Sequence, residues 1–187
     1  MTQAPGAAYN TIFAAQDEGG ARTNADRTPV ATAARSSGQS RDATEAQVWR
    51  RLKSAGYSDV QAAAIMGNLS AESGLDPNAV GDRGQARGLA QWHGDRYAPL
   101  VRWAQTNQVD PDSLDGQVDM VQHELSTTEG RARRDLQDAQ DLDAATGAFA
   151  GFERPAGWRR GGDPAAISHW ERRRSEAQRY YDTYRGQ

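Results

Sequence analysis

The sequence contains no cysteine. This absence excludes disulfide bonds, metal–thiolate sites and a cysteine nucleophile. The three histidines, His93, His123 and His169, are far apart in sequence and lack HExxH or a similar ligand spacing. We therefore expect no metal site, and nothing in the sequence predicts a cofactor.

The sequence also lacks a strong net charge and a long apolar run. A formal net charge of -3 over 187 residues gives no electrostatic indication of a nucleic-acid partner. No window approaches the roughly 20 apolar residues that span a bilayer. The N-terminal stretch MTQAPGAAYNTIFAAQDEGG has neither the basic start nor the apolar run of a secretory signal. We expect no nucleic-acid partner and no membrane span.

The length suits one ordinary domain preceded by a tail. Residues 1–43 are rich in Ala, Gly, Ser, Thr, Gln and Arg, a composition that buries too little apolar surface to offset the entropy of ordering. This segment is either a flexible extension or a segment that orders against a partner assembly. Residues 44–187 are predicted to form the folded domain.

Helical patterns dominate the folded domain. Apolar residues recur at helical spacing from Thr44 to Gly56, and Ser58 with Gln61 forms a capping-box pattern for a second helix. Asp95 is predicted to cap a helix over RYAPLVRWAQTNQ, and Ser113 one over LDGQVDMVQHELS. Three further helices are predicted in GRARRDLQDAQ, LDAATGAFAGFE and ISHWERRRSEAQRYYDTYR. In the last of these, Trp170, Ala177 and Tyr181 are expected on one side. Only residues 75–92 suit a small hairpin, so the predicted fold is mainly α.

A single carboxylate, Glu72, occupies an unusual place. With Ala62, Ile65 and Leu69 it forms one stripe at helical spacing on the second helix. A carboxylate that ends an apolar stripe is partly desolvated, which disfavours its charged form, and the helix dipole acts in the same direction. A protonated carboxylic acid is what general-acid cleavage of a glycoside requires. The alternative is that Glu72 turns to solvent or caps a loop amide.

The loop that follows is rich in glycine, with Gly81, Gly84 and Gly88 in GDRGQARG. Glycine permits positive φ and close approach of the backbone to a ligand. Asp82 is a second carboxylate, which a chain reversal brings across a cleft from Glu72, as an inverting glycosidase requires. At the end of the loop, Trp92 either stacks on a sugar or belongs to the core. Gln91 and His93 are candidates for hydrogen bonds to sugar hydroxyl or N-acetyl groups, and Gly88 for close contact with the ligand.

Four motifs in order, AAIMGNLSAESGLDPNAVGD, GLAQWHGDR, VQHEL and FERPA, resemble those of the phage tail lysozyme family. The resemblance covers Thr44 to Tyr184. The segment GDRGQARGLAQ is also similar to the one that follows the catalytic glutamate in goose-type lysozymes, and Glu72–Ser73 resembles the glutamate–serine pair of lytic transglycosylases.

The resemblance implies a lysozyme-like helical domain with a small hairpin beside a cleft, acting on the β-1,4 bond between N-acetylmuramic acid and N-acetylglucosamine. It implies that Glu72 protonates the glycosidic oxygen and that Asp82 is the base or orients water. Where goose-type enzymes have a second acidic position, this sequence has His93, with Asp95 two residues further on.

Two later motifs allow more than one interpretation. His123 and Glu124 in VQHEL fit a buried helix and are expected to be structural, with a catalytic role as the alternative. Glu153 in FERPA either binds substrate or pairs internally with an arginine. The basic run Arg172 to Arg174 is typical of a solvated helix face.

These observations favour a muramidase that acts on peptidoglycan glycan strands. We expect it to be carried in a phage virion, as a tail or ejected component, and to act on the host cell wall during genome delivery, with its N-terminal tail binding other virion proteins. Two alternatives are a lytic transglycosylase that forms 1,6-anhydro products and a structural virion protein whose lysozyme fold is inactive.

Overall fold

The structure, a computed structural model, describes residues 33–187, with side chains from Arg41 onward. The described part forms seven α-helices and one small antiparallel sheet, which confirms the predicted mainly α fold. The predicted tail up to residue 32 lies outside the described residues. In chain order the elements are α1 (Ala33–Ser54), α2 (Asp59–Ser73), β1 (Val80–Gly81), β2 (Ala86–Arg87), β3 (Trp92–His93), α3 (Gly94–Thr106), α4 (Leu114–Ser126), α5 (Gly130–Asp138), α6 (Leu142–Glu153) and α7 (Trp170–Tyr184).

Helix α2 is the centre of the core. It packs against α7, α6 and α1, and every residue from Ala62 to Ser70 is buried. The helix is therefore enclosed on all sides, rather than along the single stripe that the sequence analysis predicted. Small residues make this possible: a Cβ added to Gly67 would lie 2.7 Å from Cβ of Ala177 on α7. Only glycine allows two helices to approach so closely at this point.

Two helices begin at the predicted caps. The side chain of Ser58 accepts a hydrogen bond from the amide of Gln61, whose own side chain accepts from the Ser58 amide. This reciprocal pair is the predicted capping box at the start of α2. At the start of α4, Ser113 Oγ accepts from the amide of Gly116. Each cap satisfies amide groups that have no partner within the helix.

Two other helix starts differ from the prediction. Helix α1 begins at Ala33 instead of near Thr44, so it extends into the segment assigned to the tail. Helix α3 begins at Gly94 with His93 as the capping residue. Asp95, the predicted cap, instead lies in the first turn, where its negative charge is still favourable near the positive end of the helix dipole.

Helix α7 buries a face that the sequence analysis described only in part. Trp170 and Ala177 are buried as predicted, but Tyr181 is only half-buried. The remaining positions of the buried face follow a spacing of three and four residues and include an arginine. The buried residues of α7 are Trp170, Arg173, Ala177, Tyr180 and Tyr184.

The three short strands form a meander in the predicted hairpin region. Strand β1 pairs with β2, and β2 pairs with β3, both antiparallel. A single 3₁₀ turn, Asp82–Gly84, joins β1 to β2. Because β3 leads directly into α3, the sheet connects the end of α2 to the rest of the helical domain.

Candidate functional site

Glu72 lies in the last turn of α2, where the helix leaves the core. The helix ends because Gly74 adopts a left-handed conformation, with φ of 69°, and its amide donates to the carbonyl of Ser70. The Glu72 side chain is 24% exposed, whereas the preceding turns of α2 are buried. The carboxylate is therefore at the boundary between the core and solvent.

One buried guanidinium holds this carboxylate. Arg173 on α7, with 2% of its side chain exposed, donates from Nη2 to Oε1 of Glu72. Its Nη1 donates to Oε2 of Glu153 at 2.5 Å and to Oδ1 of Asn68 at 2.8 Å, and its Nε donates to the carbonyl of Ser168 at 3.2 Å. Arg173 thus joins α2, α6 and α7 at a single point.

Glu153, at the end of α6, faces inward. Only 3% of its side chain is exposed, so it makes the internal pair with an arginine that was one of its two expected roles. Burial raises the pKa of Glu153, and the nearby Glu72 carboxylate raises it further, against the opposing effect of Arg173, to about 8. The group is therefore largely protonated at neutral pH.

Asp82 and His93 meet at the open side of the sheet. Oδ2 of Asp82 lies 3.9 Å from Nε2 of His93, and 58% of the Asp82 side chain is exposed. Asp82 adopts a positive φ of 43° and its neighbour Arg83 one of 54°, a conformation that is uncommon for residues with a side chain. A solvent-facing carboxylate beside an imidazole is suited to accept a proton from water or to orient it.

Gln91 stabilises the loop through hydrogen bonds from its side chain to loop carbonyls, one of which belongs to Gly88. Nε2 of Gln91 donates to the carbonyls of Gly88, at 2.9 Å, and Ala79, at 3.3 Å. Its Oε1 lies against Gly81, where an added Cβ would be 2.1 Å away. The amide hydrogens of Gln91 are thus engaged in holding the loop, which differs from the expected contact with sugar hydroxyl groups.

The buried Gly88 fits closely against α4. A Cβ on Gly88 would lie 2.4 Å from Oε1 of Gln117, the atom that accepts a hydrogen bond from the amide of Leu89 at 2.8 Å. Gln117 also donates to the carbonyl of Pro77 at 2.9 Å. Gly88 is therefore needed for loop packing, and we find no exposed surface there for the expected ligand contact.

Trp92 belongs to the core and not to an exposed surface. Its side chain is buried, and its Nε1 donates to Oε2 of Glu124 at 2.7 Å. Glu124 also accepts from Nε of Arg96 at 2.5 Å, and Nη1 of Arg96 donates to the carbonyl of Phe152 at 3.1 Å. Of the two roles expected for Trp92, its burial supports the core position and not stacking on a sugar, because no face of the indole is open to solvent.

Two residues that position this site, Arg173 and Gln117, were not predicted from the sequence. Arg173 was included in a run expected to be solvated, yet it is buried because it occupies the 170–173–177–180–184 spacing of the inner face of α7. Gln117 was not singled out, although it is a buried polar residue on the inner face of α4. In both cases a polar residue at an apolar position of a helical stripe was the available signal.

The described part of the chain has neither a candidate metal site nor a helix that could span a membrane. Among residues 41–187, whose side chains the structure describes, no group of three or more histidine, cysteine, aspartate or glutamate side chains is placed so that it could hold a metal ion. Among residues 33–187, no helix has the length and apolar character needed to cross a bilayer.

Comparison with known proteins identifies the family. The sequence model of the phage tail lysozyme family matches residues 43–184, well over half of the chain. A search among curated proteins found no significant match. The matched range includes Glu72, the three-stranded sheet, Glu153 and Arg173. The chain therefore belongs to the phage tail lysozyme family, which supports a lytic enzyme acting on the peptidoglycan of the cell wall.

Proposed function

We propose that the protein is a muramidase that hydrolyses the β-1,4 bond between N-acetylmuramic acid and N-acetylglucosamine. The observation that carries the proposal is the position of Glu72: a partly exposed carboxyl group at the end of a buried helix, fixed by the buried Arg173. A carboxyl group held in one orientation at the edge of the core is suited to protonate a leaving oxygen.

In this mechanism Glu72 is the general acid. It transfers a proton to the glycosidic oxygen as the bond to the sugar C1 breaks, and positive charge develops on the sugar ring. Asp82 is the base that removes a proton from the attacking water or orients that water. Its exposure and its contact with His93 support this role, because both groups are accessible to solvent at the sheet.

Of the other residues expected to bind substrate, one is exposed beside Asp82 and the rest have their contacts within the protein. His93 is exposed and adjacent to Asp82, so we propose that it contacts the sugar. Gly88, Gln91 and Glu153 act indirectly, because their contacts lie within the protein.

The test is the mass of the products released from purified peptidoglycan. Hydrolysis adds one water and gives reducing-end muropeptides, which is the expected result. A lytic transglycosylase uses the C6 hydroxyl of muramic acid as nucleophile, so products lighter by one water, with 1,6-anhydro ends, would replace the muramidase assignment. An Asp82→Asn variant with undiminished turnover would remove Asp82 from the mechanism while leaving Glu72 in place.

We also propose that the enzyme is carried in the virion and opens the wall locally during genome delivery. The support is the family, whose name refers to phage tails. Phage particles lacking the protein are expected to infect cells with thick or heavily cross-linked walls less efficiently. Unimpaired infection of such cells would argue against the virion role without affecting the enzymatic one.

A further inference from the structure

We propose that Glu153 is a positioning residue that stores the catalytic proton for Glu72. The two carboxyl groups, held on the two terminal nitrogens of Arg173, share one proton. This inference rests on the proposed role of Glu72 as the general acid. It explains how a carboxylate that is paired with an arginine delivers a proton to a leaving group.

The charge of the cluster favours a single shared proton. With no proton, the two carboxylates and Arg173 together have a net charge of minus one; with two protons they have a net charge of plus one. One proton makes the buried cluster neutral, and an unbalanced charge is costly at a site where Arg173 and Glu153 are almost fully buried. Carboxyl pairs at close range hold one proton for the same reason.

The buried Oε1 of Glu153, which has no hydrogen-bond partner among the described residues, indicates that the shared proton is on Glu153. Its Oε2 accepts from Arg173, but its Oε1 is buried with no hydrogen-bond partner among the described residues. A buried carboxylate oxygen without a donor is unfavourable. A proton on Oε1 turns that oxygen into a donor, and Glu72, which is held on the other terminal nitrogen of Arg173, is the carboxylate that accepts from it in this proposal.

Among the charged groups around Glu153, the Glu72–Glu153 pair is the one that can share the proton, because the others already form ion pairs or hydrogen bonds elsewhere. Helix α2 contributes Glu72, and α7 contributes Arg173 together with Arg172, whose Nη2 donates to the carbonyl of Ser70. The other charges nearby are already paired: Arg96 of α3 with Glu124 of α4, and Arg154 with Glu129 at the start of α5.

The proton transfer balances in three steps. The O–H bond of Glu153 breaks as an O–H bond forms on Glu72, and Glu72 then gives this proton to the glycosidic oxygen as the bond to C1 breaks. The attacking water loses a proton to Asp82 and completes the second product. Before the next turnover Asp82 releases its proton to solvent, and the Glu72–Glu153 pair, left with one proton fewer, takes one up from solvent.

The first test is the pH profile of kcat with Glu153→Gln, which keeps the size and polarity of the side chain but holds no transferable proton. We expect kcat near neutral pH to fall, but by less than the roughly 10²–10⁴-fold that loss of a general acid itself costs, because Glu72 remains in place. We also expect the alkaline limb of activity to move to lower pH by about one unit or more, since no second carboxyl group remains to hold the proton. A profile of unchanged shape, merely scaled down, would overturn the proposal.

Glu124→Gln is the matched control. Glu124 is another buried glutamate paired with an arginine, but the groups that donate to it belong to Arg96 and Trp92 and not to Arg173. Its substitution is expected to lower stability and to leave both limbs of the pH profile in place. A shift of the alkaline limb in Glu124→Gln equal to that in Glu153→Gln would show that any buried pair has this effect, and would overturn the proposal.

A second measurement needs neither activity nor a folded variant. Carbon-13 NMR of the side-chain carboxyl groups in the full-length wild-type chain follows Glu153 directly. We expect Glu153 to titrate near pH 8; titration near its ordinary value of 4.5 would overturn the shared proton. If no preparation cleaves peptidoglycan while Glu153 titrates near 8, the proposed function fails and the shared proton stands.

Discussion

Arg173 donates a hydrogen bond from Nη2 to Oε1 of Glu72, so the first turn of α7 holds the last turn of α2. The two residues are 101 positions apart in sequence. The candidate acid is therefore positioned by the C-terminal helix, and not by its own loop. The exposure of Glu72 and the burial of Arg173 give the pair one end in solvent and one in the core.

Replacing Arg173 by lysine tests this arrangement. Lysine keeps the charge but is a single ammonium group that cannot donate in parallel to Glu72 and Glu153. We expect the variant to lose about 3 kcal/mol of stability, the usual scale for breaking a buried ion pair. Urea unfolding monitored by circular dichroism measures the loss.

The neighbouring Arg174 provides the control. It forms an ion pair with Asp143 in which both side chains are about half exposed. Arg174→Lys is expected to change the free energy of unfolding by less than about 0.5 kcal/mol, because exposed ion pairs contribute little. Equal losses in the two variants would show that burial of Arg173 does not matter.

The raised pKa of Glu153 predicts how the free energy of unfolding varies with pH. Its pKa is raised from 4.5 to about 8 in the folded state, so the folded protein holds this proton more tightly than the unfolded chain does. The stabilisation is complete below the unfolded value and is lost as the pH rises through the folded value, with a slope of at most about 1.4 kcal/mol per pH unit. Between those limits, the free energy of unfolding of wild type should fall with pH relative to Glu153→Gln. A difference between the two proteins that is independent of pH would contradict the assignment.

Substitutions of two loop glycines, Gly84 and Gly88, distinguish the cost of backbone strain from the cost of a steric clash. Gly88 and Gly84 both have positive φ, but a Cβ on Gly88 would meet Gln117, whereas one on Gly84 has no atom within 4 Å. Gly84→Ala is expected to cost about 1 kcal/mol from strain alone. Gly88→Ala should cost at least about twice as much, since Gln117 must also move. Equal costs by thermal unfolding would show that the close contact is not restrictive.

Trp92→Phe distinguishes a core role from sugar binding. The change removes the Nε1–H that Oε2 of Glu124 accepts and leaves that oxygen with its hydrogen bond from Nη2 of Arg96, so loss of this bond to a charged group is expected to cost about 1–3 kcal/mol. KM for peptidoglycan should be unchanged at a temperature where the variant is folded. A raised KM with unchanged stability would restore the sugar-stacking interpretation.

Local signals in the sequence predicted much of the fold. Ser58 with Gln61 and Ser113 correctly marked two helix starts because capping depends on residues within one turn. Residues 75–92, the only region expected to hold a small hairpin, contain the first two strands and the start of the third. The position of Glu72 at the end of a buried helix followed from the spacing of Ala62, Ile65 and Leu69.

Contacts between distant segments were not predictable in the same way. Arg173 lies between two other arginines, so a local interpretation favoured solvent; its acceptors, Asn68, Glu72 and Glu153, come from two other helices. Trp92 was ambiguous for the same reason, because the carboxylate that fixes its indole is 32 residues away. Where polar groups are buried, tertiary partners decide the outcome and sequence periodicity does not.

Digestion of purified peptidoglycan by wild type and by Glu72→Gln, with soluble muropeptides measured by mass spectrometry, tests directly whether Glu72 is the general acid. Glu171→Gln, a change of a largely exposed glutamate on α7, is the matched control. The account predicts release by wild type and by Glu171→Gln, and a loss of at least about a hundredfold in folded Glu72→Gln. Undiminished release by Glu72→Gln would contradict it.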